Sequence, residues 1–397
     1  MVLAQAESEY RMPANKTAVE IDFLANYYAQ DGSYGAPQGG RGTEELDNRA
    51  GIVVVNVPID SNSALNATLG IDAYSSASTD RIDYQLSTAS SSDVRGYANL
   101  GWTESDLGGG RTYTVRGGFS KEYDYLSFNA SASVTQEWAR GQHQITAGVQ
   151  AFFDEWDIIV PAELRLPARQ PQGLSPQRRS YGFSLTYAGI LAPRVQLTLT
   201  AEPVAMSGLL STPFHRIYFQ GLDVAAYLQS DRRNFVADDV ERLPDTRYKL
   251  PLSIRLNYKL SDALALRTFG RYYTDSWGVQ GISLEAELAY QVSGAWTLIP
   301  FARYYEQQSA RYYRGIGLHS PTQEFYTSDV DLAELNTAKL GLGIRYAPLF
   351  GLGRTKVGQR GLEWKQVSLR GAYYTRNLDL TAYSITIATS FSMPKLR

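Results

Sequence analysis

The chain has 397 residues, with 38 Lys and Arg against 40 Asp and Glu and a formal charge of −2. It has no cysteine and three histidines, which excludes disulfides, Cys-ligated zinc, iron–sulfur clusters and covalently attached c-type haem on this chain. The near-neutral balance argues against a nucleic-acid binder. No run of about 18 apolar residues is present, so no transmembrane helix is expected.

Residues 1–16 read as an N-terminal segment. Ala4-Gln5-Ala6 has the small-x-small form of a signal-peptidase site. The charged start and apolar stretch of a full signal are missing, so the expected reading is a clipped remnant. A cysteine-free chain suits an exported protein that forgoes disulfides, although a cytosolic chain can lack them too.

From residue 17 to 391 the dominant hydrophobic period is two, which makes a single barrel domain the expectation. Val19, Ile21, Phe23, Ala25 and Tyr27 alternate with Glu20, Asp22, Leu24 and Asn26. Leu126, Phe128, Ala130, Ala132 and Val134 alternate with Ser127, Asn129, Ser131, Ser133 and Thr135. The clearest case is Tyr248, Leu250, Leu252, Ile254, Leu256 and Tyr258, which alternate with Lys249, Pro251, Ser253, Arg255 and Asn257. Strand side chains point to opposite faces in turn, so each stretch reads as a strand with one apolar face. The length of the last one suits a tilted crossing of a bilayer, and its aromatic ends suit the interfacial girdles of a membrane barrel. Ile282–Tyr290 and Tyr383–Phe391 repeat the pattern.

The connections also alternate. Short ones lie near residues 60–62, 105–110, 139–142, 192–194, 261–263 and 293–295. Long ones cover about 31–46, 75–91, 154–178, 202–246 and 314–330. A short-turn end and a long-loop end are how outer-membrane barrels are built, with tight periplasmic turns and larger extracellular loops. The expected fold is therefore an all-β, antiparallel, up-and-down transmembrane β-barrel of about 16 strands, within 14–18, in the bacterial outer membrane. The interval 349–361 is long for a periplasmic turn. Such barrels usually finish on an aromatic residue; Phe391 suits that part, with residues 392–397 trailing as a tail. A soluble sandwich would also alternate, but it would not divide its connections in this way.

Several segments carry a resemblance: Glu122-Tyr123-Asp124-Tyr125, Ser207–Phe214, Arg271–Gly278, Arg303–Tyr313 and Tyr326-Thr327-Ser328-Asp329. Together they resemble an uncharacterised family of Gram-negative outer-membrane proteins, a domain of unknown function. The resemblance covers most of the chain and is densest from Ser207 to Tyr346. It implies a barrel in the envelope and brings no settled activity.

The alternation points Arg255, Arg267, Arg271, Arg303, Arg345 and Arg370 into the lumen, with Glu285 and Glu287 on the strand between those of Arg271 and Arg303. Glu20, Asp22 and Asp72 face inward from early strands. One reading is a polarised lumen that filters ions or anionic solutes. The other is a ladder of cross-strand Arg–Glu pairs that satisfies half-buried charges. His143, His215 and His319 lie far apart in sequence, so three converging histidine ligands are not expected. Asp329, Asp331 and Glu334 could offer oxygen ligands to calcium, but their spacing misses the EF-hand loop. His319-Ser320 lacks an orienting group for a nucleophile, and there is no G-x-S-x-G elbow, P-loop or dinucleotide fingerprint.

No catalytic residue, metal site or cofactor is therefore expected, and the chain reads as a pore or transport channel rather than an enzyme. The alternative is a plugged barrel scaffold that anchors or sheaths a secreted, periplasmic or redox partner. A membrane-embedded enzyme is a third reading, without a site. The expected partners are outer-membrane lipid and, at the long loops 154–178 and 202–246, a protein, because those loops carry apolar runs such as Ile158–Pro161 and Val224–Leu228. No nucleic acid is expected, and the sequence leaves the oligomeric state open.

Overall fold

A computed structural model describes residues 18–75, 92–106, 108–165, 171, 174–229, 235–358 and 360–394. The Ala4-Gln5-Ala6 motif, nearly all of the 75–91 connection and the last three residues lie outside them.

The strands are β1 (Val19–Gly32), β2 (Leu46–Pro58), β3 (Ser63–Ser75), β4 (Ser92–Asp106), β5 (Arg111–Lys121), β6 (Tyr125–Trp138), β7 (His143–Trp156) and β8 (Gln177–Ala192). They continue as β9 (Val195–Ala201 and Val204–Gly208), β10 (Thr246–Lys259), β11 (Leu264–Asp275), β12 (Gln280–Gln291), β13 (Trp296–Gln308), β14 (Leu335–Tyr346), β15 (Arg360–Arg376) and β16 (Leu380–Met393). Each pairs antiparallel with the next, and β1 pairs with both β2 and β16, so the sheet closes on itself. Sixteen strands meet the even count of single-chain outer-membrane barrels.

The two pieces of β9 are one strand. Ala201 faces Leu185 and Val204 faces Gly182 without a change of register. The ladder lapses at Glu202-Pro203 because proline has no N–H to give, yet the Pro203 carbonyl still accepts from Phe183 N–H at 3.0 Å. The long interval after β14 also has a local cause. Its second half, Gly353–Val357, forms a hairpin with the start of β15, which extends the ladder past the short-turn end. β16 runs to Met393, two residues beyond Phe391, and Met393 pairs with Val19.

The apolar face points outward. Along β10, Tyr248, Leu250, Leu252, Ile254, Leu256 and Tyr258 are all exposed, and Leu284, Leu340, Leu342, Tyr383 and Ile387 continue the belt on other strands. Rings bracket it. Tyr27 and Tyr383 meet near the long-loop end, while Trp296 and Tyr346 meet at the short-turn end with centroids 4.5 Å apart. Such a surface is stable only against hydrocarbon, and closure leaves no unpaired strand edge there. Among the described residues no helix is long and apolar enough to cross a membrane.

The most deeply buried side chains lie outside the barrel. Tyr218, Tyr227, Leu164, Ile217, His319, Gln38, Glu241, Val240, Val330 and Thr327 all belong to the long loops. Val160, Leu164, Tyr218, Tyr227, Ala237, Val240 and Ile316 form one apolar cluster, with Leu222, Val224 and Phe235 against it. Three loops supply it, those after β7, β9 and β13, and the loop after β1 joins by hydrogen bonds. The long loops thus build a small cap with its own core.

Candidate functional site

Two structures at the lumen invite a functional reading: the charged inner wall and the cap across its mouth.

The wall follows from register. Leu266, Leu284 and Ile344 face out, so their neighbours face in, and pairing stacks the inward residues in rows. Arg255 lies beside Phe269, Arg267 beside Glu287, Arg271 beside Ser283, Glu285 beside Arg303, and Arg303 beside Lys339. Arg267 Nη1 donates to Glu287 Oε1 at 2.8 Å, and Arg370 of β15 reaches the other Glu287 oxygen. β13 and β14 lie between those partners, so the Arg370 side chain crosses the inner surface. Glycine makes the crossing feasible. A Cβ on Gly341 would sit 2.2 Å from the Phe301 ring and one on Gly343 would sit 3.2 Å from Arg370 Cγ. With no side chains there, the Phe301 ring lies flat enough for the Arg370 guanidinium to stand 4.7 Å from its centroid.

The remaining sequence-identified residues distribute as follows. Arg303 Nε donates to Ser283 Oγ at 2.9 Å. Arg345 reaches Thr297 Oγ1 at 3.4 Å near the short turns. The Arg255 guanidinium is 5.3 Å from the Phe269 ring centroid. Glu20 and Asp22 lie on β1, opposite Asn56 and Val54, and Asp72 faces Arg95 between β3 and β4. The six arginines and two glutamates thus share one wall, while the three early acids stand apart from it. Lys339 belongs to the wall as well; its alternation with Leu340 and its place in the row of Arg345 carried the same signal as the arginines.

The cap spans the mouth. The loop after β1 and the loop after β9 are rooted half a circumference apart, yet Arg216 Nη1 donates to Pro37 O at 3.0 Å. The same guanidinium donates to both oxygens of Glu163, at 2.8 and 3.3 Å, so one buried arginine joins three loops. Tyr227 Oη donates to Gln38 O at 2.9 Å. Gly40, at φ +82°, lies so near Ser328 O that a Cβ would stand 2.3 Å away. At the barrel rim Arg376 holds Glu44 at 2.6 Å and Asp331 at 3.4 Å.

Inside the cap, His215 Nδ1 stands 3.8 Å from both Glu241 Oε1 and Asp329 Oδ2, and the three potential ligand atoms lie within 4.8 Å of one another. Burial raises the Asp329 carboxyl to about 7, with Asp331 and Glu241 adding to it and His215 opposing. Burial pulls His215 down, but Glu241 and Asp329 outweigh it and its pKa lies above the usual value. The spacing-based calcium set of Asp329, Asp331 and Glu334 does not assemble as such: Asp331 turns to Arg376, and Asp329 meets a histidine and a glutamate from another loop. His143 stacks with Trp138 and Tyr187 at the opposite end of the barrel, and His319 Nε2 faces Thr327 O at 3.1 Å, while the Ser320 hydroxyl pairs with Thr322 Oγ1 at 2.9 Å. The three histidines do not meet.

Residues 3–381 match the family described as "Protein of unknown function (DUF3570)". The chain belongs to this family. No curated protein matches it in sequence. Among solved structures it is similar to a bacterial polysaccharide outer membrane secretin, at 10% identity over 96% of this chain and 100% of that one, with a TM-score of 0.47. It is also similar to CdiB from Acinetobacter baumannii, at 9% identity over 93% and 60% with a TM-score of 0.45, and to the outer membrane protein opdK from Pseudomonas aeruginosa, at 8% over 94% and 99% with 0.39. The strand register, rather than these faint likenesses, defines the barrel. A closed, even-stranded sheet with an outward apolar belt, ring girdles and all its long loops at one end is an integral protein of the bacterial outer membrane.

Proposed function

We propose that this DUF3570 barrel is a capped conduit for anionic solutes. Between the mouth and the short turns, the inner face of β10–β15 carries Arg255, Arg267, Arg271, Arg303, Lys339, Arg345 and Arg370 against Glu285 and Glu287. This excess of cations over acids carries the reading, because a charged ring or stripe in a narrow passage raises the local concentration of counter-ions. A 16-stranded barrel is wide enough to leave an aqueous channel, and inward residues such as Ser131, Thr198 and Thr200 keep partial exposure. The cap sets the resting state: loops rooted on opposite sides of the mouth lock together through Arg216. The reading assigns the wall electrostatic work and no catalytic step.

A second reading has its own support. The cap has an apolar core and leaves Leu228, Val236 and Leu318 exposed on its loops, which suits a scaffold that presents the cap to a protein.

Planar-bilayer recording in a salt gradient separates the two. The full chain is expected to pass little current, and Arg216→Ala to open it with a reversal potential on the anion side. Arg267→Ala and Arg271→Ala on that background should shift the potential towards zero. A silent Arg216→Ala barrel that still folds and shows heat-modifiable migration would sink the conduit and favour the scaffold.

A further inference from the structure

We propose that His215, Glu241 and Asp329 bind one divalent transition-metal cation, of the Zn²⁺ or Mn²⁺ class, which latches the loop after β9 to the loop after β13. His215 and Glu241 lie in the first of these loops and Asp329 in the second.

The arrangement has the marks of a built site. Glu241 is only 2% exposed, and its carboxylate is held in place from both sides, by Thr212 N–H at 2.6 Å and by the Thr327 hydroxyl. Thr327 Oγ also accepts from Asp329 N–H at 3.0 Å, so one hydroxyl positions two of the three groups. The Asp329 carboxylate accepts from Asp331 N–H at 2.9 Å. Such outer contacts are what orient metal ligands. The His215 Nδ1 atom is shut off from solvent and has no hydrogen-bond partner. At 3.8 Å from each carboxylate it is too far for a hydrogen bond. That spacing is close to the edge of roughly 3.4 Å in a tetrahedron of zinc–nitrogen and zinc–oxygen bonds, and the two carboxylate oxygens, which lie within 4.8 Å of one another, would close on a shared cation.

Charge points the same way. Glu44, Glu241, Asp329 and Asp331 gather under the cap. Arg376 is shared between Glu44 and Asp331. Among the described residues, His215 is the only ion-pair partner of Glu241 and Asp329. A carboxylate as deeply buried as Glu241 must either pair with a cation or take up a proton. One imidazole with two carboxylates selects zinc or manganese over calcium and magnesium, which prefer oxygen alone, and the absence of thiolate disfavours softer ions. Asp329 keeps 20% side-chain exposure, which leaves a water-accessible side for a fourth ligand. The site stands whether or not the barrel conducts, since it concerns only the joining of two loops.

The test uses the full chain folded in detergent, stripped with chelator and titrated calorimetrically with ZnCl₂, MnCl₂ or CaCl₂ alone. One equivalent of Zn²⁺ or Mn²⁺ should bind, with Ca²⁺ at least tenfold weaker. His215→Ala and Asp329→Asn should each lower the affinity by about 100-fold or more; the second keeps the side-chain size and its acceptor towards Asp331 N–H. Heat-modifiable migration checks that both variants remain folded barrels. As a second readout, the cation should slow tryptic cutting at Arg242 in the wild type and in neither variant. Absence of binding by the folded wild type overturns the proposal, as does wild-type affinity in both variants or binding of Ca²⁺ in preference.

Discussion

The two sides of the lumen solve the problem of an inward polar face differently. On β6–β8 the inward residues from Asn129 to Thr135, Thr146 to Gln150 and Ser180 to Thr186 are uncharged: Ser131, Ser133, Gly148, Gln150, Gly182 and Ser184 among them. Hydroxyls satisfy one another across the ladder, as in Thr135–Thr146 at 2.8 Å and Thr186–Thr200 at 3.1 Å. Around β15, eight strands away from β7, the wall is bulky and ionic, with Arg370 and Phe301 lying across Gly341 and Gly343. A small neutral wall takes up little of the lumen and exerts little field. A long charged wall projects into the lumen and sets its potential. The difference shows that these two arcs of the wall carry very different charge, so substitutions on the two arcs should have separable effects.

The largest expected effect tests whether these walls face inward at all. Ile254, 48% exposed in the middle of β10, lies on the lipid side, and Ile254→Arg should cost roughly 2–4 kcal/mol near the bilayer midplane. Arg255→Ala, one residue on, should cost under about 1 kcal/mol, the value of its contact with the Phe269 ring. Urea titration of the barrel in lipid vesicles reads both, and equal losses would erase the distinction between faces. The next effect separates the arcs. Glu287→Gln leaves Arg267 and Arg370 without their shared carboxylate. These guanidiniums are 42% and 37% exposed, so solvent screens them and the expected loss is about 1–2 kcal/mol rather than the larger cost of a fully buried pair. Ser131→Ala on the neutral arc should stay within about 0.5 kcal/mol. Similar losses at both positions would mean that the arcs differ in composition and not in energetics.

Much of this was legible in the residues themselves. The period-two alternation around Ile254 fixes which side of the strand meets lipid, and the spacing of short and long connections fixes which end carries the loops. The same alternation placed Arg267 and Arg303 on the inner wall. It could not show that Arg370 would reach across two strands to Glu287, since that path depends on the missing side chains of Gly341 and Gly343. The cap was harder still. His215, Glu241 and Asp329 have no local spacing to join them, and Arg376 meets Glu44 from the far end of the chain. Contacts between loops depend on closure of the barrel, which brings their roots to one rim, and no short-range pattern encodes it. The apolar runs in those loops showed that something would be buried there, without showing that the loops would bury one another.

The cap is rooted on both arcs, and protonation of His319 should loosen it while leaving the two walls as they are; Asp329 and His215, both raised in the fold, act in the opposite sense over the same range. His319 is buried among Phe219, Tyr326 and Thr327, and burial holds its pKa below the usual 6.5, with weaker raising contributions from Thr327 and Gln323. A histidine depressed in the fold takes up its proton more readily in the opened loop. Its contribution is therefore present above pH 6.5 and falls away as the pH drops from there towards the folded value. Hydrogen exchange at the Gln220 and Arg242 amides, which bond to His319 O and Tyr326 O across the cap, should accelerate more below pH 6.5 in the wild type than in His319→Gln once corrected for intrinsic rates, while amides in β7 and β12 stay protected. His319→Gln is expected to leave the cap less stable throughout, and this part of its acid response should vanish. Undiminished acid loosening in His319→Gln would move the sensitivity to other groups of the cap; matching acceleration in β7 and β12 would mean that cap and walls open as one unit.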